Sequence, residues 1–251
     1  MPNWVFSTLT VEGNPESVIK LKEQLNKPFD VPHSGWNIET NEMEDKVVHY
    51  SSPVFSFMNV YSPFDNGITM EEYAKQPERS NLEVSDPNWW ADIQAKQKVS
   101  KSWYDWNITN WGTKWDIAVT DTEKYPDTEL YDEEPNGDNL VLVYKFQTAW
   151  SPAIPVLIKL SEQYPELLLT LDYEEENGWG GEIEFLRGKI NSESSYDWKC
   201  RECDYMADET PYCDTCEHDM CPDCGYGEPD EEDREKCQDH KVELDFTEKA
   251  E

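Results

Sequence analysis

A chain of 251 residues with a formal net charge of −33 narrows the possible functions before any motif is considered. Such a surface repels phosphate backbones, which argues against direct nucleic-acid binding as the main activity. Hydrophobic residues make up 37% of the sequence, enough to build a core and to argue against disorder. No apolar run reaches the roughly 20 residues of a membrane span, and the N-terminus lacks a signal-peptide pattern. We therefore expect a cytoplasmic protein that contacts no membrane.

The negative charge has two interpretations. The simpler one, which we favour, is that 54 acidic against 21 basic residues keep the protein soluble. The other is that the acidic surface imitates DNA or attracts a basic partner. Under either interpretation, the expected partner is a protein, such as a basic or DNA-handling one, and direct binding of nucleic acid is not expected.

The first predicted elements are a strand and a helix. Trp4–Glu12 is rich in β-branched and aromatic residues and ends before Gly13, which predicts a strand. Asn14 can cap a helix that starts at Pro15. Three residues at helical spacing give this helix an apolar face: Val18, Leu21 and Leu25.

The stretch after this helix leads into a long insertion. Pro28–Ser52 is turn-rich and charged, and Val54–Tyr61 is the next predicted strand. The insertion is expected over about 62–139, with helical turns at Met70–Ala74 and a helix from Pro87 to about Val99. Asp121–Asn139 is strongly acidic, which predicts a solvated loop or a mobile flap.

Four tryptophans lie within Trp103–Trp115, and a strand is predicted at Trp115–Thr120. The default interpretation is that these rings pack into the core, because aromatic side chains bury large areas. The alternative is a platform for a base or a sugar, which the net charge makes less favourable.

The rest of the main domain is predicted as β-α-β-β. The strands are Leu140–Trp150, Glu166–Glu174 and Glu182–Ile190, and a helix starting at Ser151-Pro152 runs to about Gln163. Together with the opening unit, this order predicts an α+β fold: a ferredoxin-like antiparallel sheet with helices on one face. The predicted domains are 1–190, a linker at 191–199, and a C-terminal module with an acidic tail at 200–251.

The C-terminal module contains all seven cysteines of the chain. Three CxxC pairs and one CxxH pair supply eight candidate metal ligands, enough for two tetrahedral zinc ions. These ligands are Cys200, Cys203, Cys213, Cys216, Cys221, Cys224, Cys237 and His240. Four ligands on each ion leave no position for substrate, so both zincs are expected to be structural. A redox role for the CxxC pairs is the weaker interpretation.

Two resemblances add to this interpretation. The opening strand, the run Asn110–Asp116 (NWGTKWD) and the turn Gly178–Gly181 resemble the YubB or Api-like family of phage and conjugative-plasmid proteins. That resemblance implies a mobile-element protein with a ferredoxin-like domain, and it implies no catalytic residues.

The second resemblance covers Cys200–Cys224, whose cysteine spacing is similar to that of ZZ-type zinc fingers. It implies cross-braced zincs, with Cys200, Cys203, Cys221 and Cys224 on one ion and Cys213 with Cys216 starting the other. Cys237 and His240 would complete the second site, where the family uses two histidines. A sequential arrangement of the two sites remains open.

The sequence contains no recognisable catalytic motif, so we expect a non-enzymatic protein. The favoured hypothesis is a mobile-element protein that binds a host or phage protein through its acidic surface and zinc module. The alternatives are a DNA mimic that inhibits a DNA-binding or defence enzyme, a nucleic-acid-binding regulator, and an unrecognised enzyme. If the gene is phage-borne, the protein acts in the host cytoplasm.

Zinc removal tests the module. A strong chelator should unfold Cys200–His240 and leave the N-terminal domain folded, because about 40 residues with few large apolar side chains cannot fold on burial alone. Circular dichroism and limited proteolysis measure both effects, with chelator presaturated by zinc as the control. Unchanged proteolysis of the module after zinc removal would contradict the prediction.

Overall fold

The computed structural model describes residues 3–37, 41–118 and 127–199, together with three two-residue strands farther along the chain. The elements of the first half are β1 (Trp4–Gly13), α1 (Pro15–Leu25), β2 (Phe29–Asn37), β3 (Glu42–Tyr50), α2 (Met70–Ala74), α3 (Trp89–Val99) and α4 (Trp103–Asn110). Those of the second half are β4 (Thr128–Asn136), β5 (Asn139–Ala149), α5 (Ile154–Gln163), β6 (Leu168–Glu175), β7 (Gly180–Leu186) and β8 (Lys189–Tyr196).

The main sheet has six strands in the order β4-β5-β1-β6-β7-β8. Strand β1 pairs antiparallel with β5, with Trp4 opposite Ala149, and β4 pairs antiparallel with the other side of β5. The units β1-α1-β4 and β5-α5-β6 thus interleave as in a ferredoxin-like fold. Beyond them, the β7–β8 hairpin extends the sheet through a turn with positive φ at Arg187 and Gly188, as type I′ turns require. The predicted ferredoxin-like antiparallel sheet with helices is confirmed.

Helices α1 and α5 cover one face of this sheet. Asn14 starts α1 by accepting a hydrogen bond from the Ser17 amide at 3.0 Å. The Gln24 amide donates to Gln163 at 2.7 Å and joins the ends of the two helices. Fully buried residues from both helices and from β1 meet between the layers: Val5, Leu9, Val11, Val18, Leu21, Leu25, Val156, Leu157 and Leu160. On the opposite face of β1, Phe6 remains 48% exposed.

Two stretches in which the sequence analysis expected no strand contain strands. Within Pro28–Ser52, β2 and β3 form a hairpin, and the ring of Phe29 stacks on that of Tyr50 at 4.8 Å. Backbone pairing and this cross-strand pair stabilise the hairpin without a long apolar run. The predicted loop at Asp121–Asn139 is also wrong from Thr128 onward, where β4 forms. As an edge strand, β4 needs only one paired side and leaves its acidic side chains in water.

Two predicted strands between α1 and β4 are wrong. Val54–Tyr61 surrounds a 3₁₀ turn at Phe57–Asn59, because the Ser56 hydroxyl accepts a hydrogen bond from the Met58 amide and so bends the chain. Residues 115–118 of the predicted strand Trp115–Thr120 are irregular, and 119–120 lie outside the described residues. The tryptophan-rich stretch instead begins with α4, which Ser102 caps.

The third predicted strand of the second half is shorter than expected. Glu182–Ile190 divides at the turn formed by Arg187 and Gly188 into the end of β7 and the start of β8. Strand β8 then takes up residues that the sequence analysis placed in a polar linker, since an edge strand tolerates a polar sequence.

The chain divides into two compact units, residues 1–173 with 182–193 and residues 174–181 with 194–251. In the second unit, β9 (Trp198–Lys199) pairs with β10 (Met206–Ala207), and β11 (Tyr212–Cys213) pairs with β12 (His218–Asp219). The domain boundaries proposed from the sequence remain predictions. Among the helices of the described ranges, none is both long and apolar enough to cross a bilayer.

Gly112 tests the packing of the inserted segment. It has φ +83°, and a Cβ there would lie 2.5 Å from Cδ of Pro155. Gly112→Ala should therefore lower the free energy of unfolding by about 3 kcal/mol, through backbone strain plus overpacking. Gly67 is the matched control, because it has φ +77° with open space around it. Gly67→Ala should cost only about 1 kcal/mol. Urea unfolding measures both, and equal losses would contradict the packing argument.

Candidate functional site

A cavity of about 470 Å³ lies in the first compact unit. Strand β1, the β2–β3 hairpin, α2, α4 and the segment after α4 all contribute to its walls. Six aromatic side chains line it: Trp4, Phe29, Tyr50, Tyr73, Trp103 and Trp115. This volume is within the range of small-molecule sites in proteins, which are mostly apolar with a few placed polar groups.

Asp116 is the acidic residue of the cavity wall. Its carboxylate accepts hydrogen bonds from the Ser56 hydroxyl at 2.5 Å and from the amides of Phe57 and Ile117, each at 2.7 Å. The Met58 amide adds a longer one, at 3.4 Å. Burial raises the pKa of Asp116, against these hydrogen bonds, which lower it. The carboxylate thereby holds the 3₁₀ turn against the segment that follows α4.

Neutral polar groups stand beside this carboxylate. The Tyr73 hydroxyl donates to Oδ1 of Asn107 at 2.8 Å, and Nδ2 of Asn107 donates to the Lys114 carbonyl at 2.9 Å. Burial raises the pKa of Tyr73, so the phenol stays protonated at neutral pH. These bonds fix α2, α4 and the segment after α4 relative to one another.

The tryptophan-rich stretch serves both the core and the cavity. Trp106 and Trp111 are 6% and 0% exposed, and the Trp111 indole donates to the Tyr61 carbonyl at 2.9 Å. Trp103 and Trp115 instead line the cavity. Trp106 and Trp111 therefore pack in the core, as the default interpretation predicted. Trp103 and Trp115 instead lie where they could contact a ligand.

Lys114 lies against the outer side of this aromatic group. Its ammonium is 4.3 Å from the ring centroid of Trp115 and 4.8 Å from that of Trp150, with Trp103 and Tyr104 within 6.0 Å. In the part of the chain that the structure describes, no carboxylate forms an ion pair with it. Burial lowers the pKa of Lys114. Cation–π attraction is therefore the interaction that compensates this ammonium for lost water.

A second candidate surface is the sheet face opposite α1 and α5, here called the open face. Residues alternate between the two faces along each strand, and the buried positions identify the helix-covered side. Within the first compact unit, strand register and this alternation place seven carboxylates of β1, β4, β6 and β7 on the open face: Glu12, Glu129, Asp132, Glu134, Asp172, Glu182 and Glu184.

Two local contacts show how the open face holds its charges. Asn191 and Ser192 donate hydrogen bonds to Glu184, which lowers the pKa of Glu184 and keeps it ionised. Lys145 also lies on this face, opposite Glu129, but its ammonium is 3.2 Å from the ring centroid of Tyr131. The face therefore presents net negative charge to a partner.

The predicted zinc ligands fall almost entirely outside the described residues. Seven of the eight are there, and Cys213 is described only by its backbone, in β11 opposite His218 of β12. The described residues contain no group of three or more His, Cys, Asp or Glu side chains that could hold a metal ion. The predicted ligand set and its connectivity thus remain a prediction.

The fold and the sheet order define an α+β protein of the ferredoxin-like class. Residues 114–217 match the model of a family described as the ferredoxin-like domain in Api92-like protein. The predicted resemblance to an Api-like ferredoxin-like domain is confirmed over that range. No curated protein sequence matches the chain. Among solved structures, the crystal structure of a protein api92 from Yersinia pseudotuberculosis aligns at 9% identity, over 80% of this chain and 100% of that chain, with a TM-score of 0.39.

Sequence reasoning missed part of the cavity. Phe29 and Tyr50 belong to a stretch interpreted as turn-rich, although Val47, Val48 and Tyr50 are residues that favour strands. No signal in the sequence pairs Asp116 with the turn at Phe57, since 59 residues separate them. Only the tertiary structure brings these groups together.

Asp116 can be tested as the group that holds the cavity wall. Asp116→Ala leaves the amides of Phe57 and Ile117 and the Ser56 hydroxyl without their acceptor, so it should lower the free energy of unfolding by about 3 kcal/mol. Asp86→Ala is the control, because Asp86 accepts one amide hydrogen bond in an exposed loop; its loss should be at most about 1 kcal/mol. Thermal and urea unfolding measure both. A loss at Asp116 no larger than that at Asp86 would rule out this role.

Proposed function

We propose that this chain is a non-enzymatic binding protein of a mobile element, such as a phage, and that it binds a basic region of a host or phage protein. The open face is the proposed contact surface, and the C-terminal zinc module is its proposed companion. Cytoplasmic location follows from the same proposal. The Api-like resemblance supports the mobile-element origin.

The observation that carries the proposal is the distribution of charge on the open face. Asp172 and Glu182 are exposed on neighbouring strands, and Glu184 lies two residues farther along β7 on the same face. Backbone pairing holds these carboxylates at fixed spacing, about 5 Å between strands and about 7 Å along one strand. Because the backbone under these carboxylates is already ordered, little backbone freedom is lost on this side when a flexible basic segment binds.

The nature of the partner follows from electrostatics. Nucleic acid would meet like charge both on this face and in the net charge of −33. A protein segment rich in lysine and arginine would gain complementary contacts and a faster association rate. An ordinary protein without such a segment would meet mainly charged groups on this face, although Phe6 and Tyr131 are exposed as well.

The proposed zinc module has support from the backbone of the second unit. Strands β9 and β10 pair on either side of the segment containing Cys200 and Cys203. Strands β11 and β12 pair in the same way around Cys216, with Cys213 at the end of β11. Short hairpins that bracket CxxC pairs suit tetrahedral zinc, and the thiolate-rich ligand set would hold the ions as structural elements.

A defined basic peptide tests the open face. We expect a fluorescent peptide of about ten residues, rich in lysine and arginine, to bind at low salt and to dissociate as salt rises. Neutralising three open-face residues together, Asp172→Asn, Glu182→Gln and Glu184→Gln, should weaken binding by about tenfold, since each exposed charge pair contributes up to about 1 kcal/mol. Fluorescence anisotropy measures the change.

The control variant carries the same change in net charge at another surface. It combines Glu23→Gln, Glu78→Gln and Glu83→Gln, all at exposed positions away from the main sheet. Its affinity should change by less than about twofold. Equal weakening by the two variants would mean that net charge alone attracts the peptide, which contradicts a specific face. Retention of duplex DNA on a filter at low salt would instead favour a nucleic-acid-binding protein.

A further inference from the structure

The aromatic cavity is separate from the open-face proposal and has its own chemistry. We propose that it binds an organic cation of the alkylammonium class, with the charged group against the indole rings of Trp103 and Trp115. The inference rests on the wall composition, on the charges around the cavity and on the position of Lys114. It does not depend on the partner proposed above.

The walls supply the attraction. The faces of indole and phenol rings carry partial negative charge and attract cations, most strongly when the site excludes water. Trp4 and Trp115 stand with their ring centroids 6.0 Å apart, and Phe29 stacks on Tyr50. Two aromatic groups from different elements therefore contribute to the same cavity, which is the arrangement that surrounds quaternary ammonium groups.

The charges select the sign of the ligand. The described residues that line the cavity include the carboxylate of Asp116 and the imidazole of His33, and no lysine or arginine. Hydrogen bonds from its own chain satisfy that carboxylate, so it attracts a cation through its field rather than by direct pairing. The net charge of −33 concentrates cations near the surface. An anionic ligand would have no lysine or arginine partner among these wall residues.

Lys114 provides an internal example of the same chemistry. Its ammonium already lies over Trp115 at 4.3 Å, although Lys114 is not among the lining residues. Among the described residues, these indoles therefore hold an alkylammonium group without an ion-paired carboxylate. The same charge repels a second cation on the cavity side. This makes Lys114 a useful probe, because its removal changes the affinity in opposite directions for cations and for anions.

Choline and 3,3-dimethyl-1-butanol form a matched pair of probes for the folded, full-length chain. They share size and shape and differ in the positive charge. Isothermal titration calorimetry should show saturable binding of choline and at least about tenfold weaker binding of the neutral alcohol, since only choline gains the cation–π attraction. A short glycine-flanked peptide with one trimethyllysine serves as the second arm. Tighter binding of the peptide indicates a protein side chain as the source, and tighter binding of choline indicates a free metabolite.

Three variants locate the site. Trp103→Leu should weaken choline binding by about tenfold. Trp90→Leu is its control, because Trp90 is 59% exposed and does not line the cavity, and it should leave the affinity unchanged. Lys114→Met keeps the apolar stem and removes the charge, so it should strengthen choline binding by about threefold. Urea unfolding of each variant confirms that the chain is folded.

Several results would overturn the proposal. Equal affinity for choline and the neutral alcohol would make the cavity a general apolar site. Weaker choline binding by Lys114→Met would exclude a cation beside these indoles. Equal losses in the Trp103 and Trp90 variants would place binding elsewhere, and absence of saturable binding of both choline and the trimethyllysine peptide would reject the site.

Discussion

Thr113 forms two hydrogen bonds with the backbone of Ala149, at the end of β5. These bonds attach the segment after α4 to the main sheet. Its hydroxyl donates to the Ala149 carbonyl and accepts from the Ala149 amide, each at 3.1 Å, while Thr113 is 1% exposed. The hydroxyl thus satisfies backbone groups at the end of β5 that the sheet leaves unpaired. Next to it, the Ser151 hydroxyl donates to the Gly112 carbonyl at 2.5 Å. Because these bonds hold Gly112 and Thr113 against the end of β5, they also position the neighbouring residues Trp111, Trp115 and Asp116.

Most acidic side chains of the described residues lie in water on the surface and are not held in ion pairs. The ion pairs among the described residues are mostly surface pairs, such as Lys22 with Glu133, and such pairs contribute little to stability. Carboxylates instead occupy the edge strand β4 and the open face, where water solvates them. The apolar residues gather on the other side of the sheet and within the insertion. The buried apolar side chains and the solvated carboxylates therefore lie on opposite faces of the same sheet.

The sequence predicted the ferredoxin-like sheet because its elements are locally specified. Asn14 and Pro15 start α1, and the alternation of Leu142, Tyr144 and Phe146 identifies β5 as a half-buried strand. Between α1 and β4 the prediction succeeded only in part. The helices at Met70–Ala74 and up to Val99 form as expected, whereas the elements that depend on distant partners were missed. The 3₁₀ turn at Phe57 requires Asp116, and the hairpin is held by its own pairing rather than by an apolar pattern. The cavity combines these long-range contacts, so only individual aromatic residues could be singled out in advance.

The sheet order has a consequence for how the chain folds during synthesis. Strand β1 lies between β5 and β6, and its nearest pairing partner in the sequence begins at Asn139. At about 5–20 residues per second, a ribosome needs roughly 6–25 s to produce β5 after β1 is complete. During that interval the apolar side of β1 has no sheet to join, and closure of so long a loop slows folding further. Mutual repulsion between acidic nascent chains is a physical means of keeping such exposed strands from aggregating.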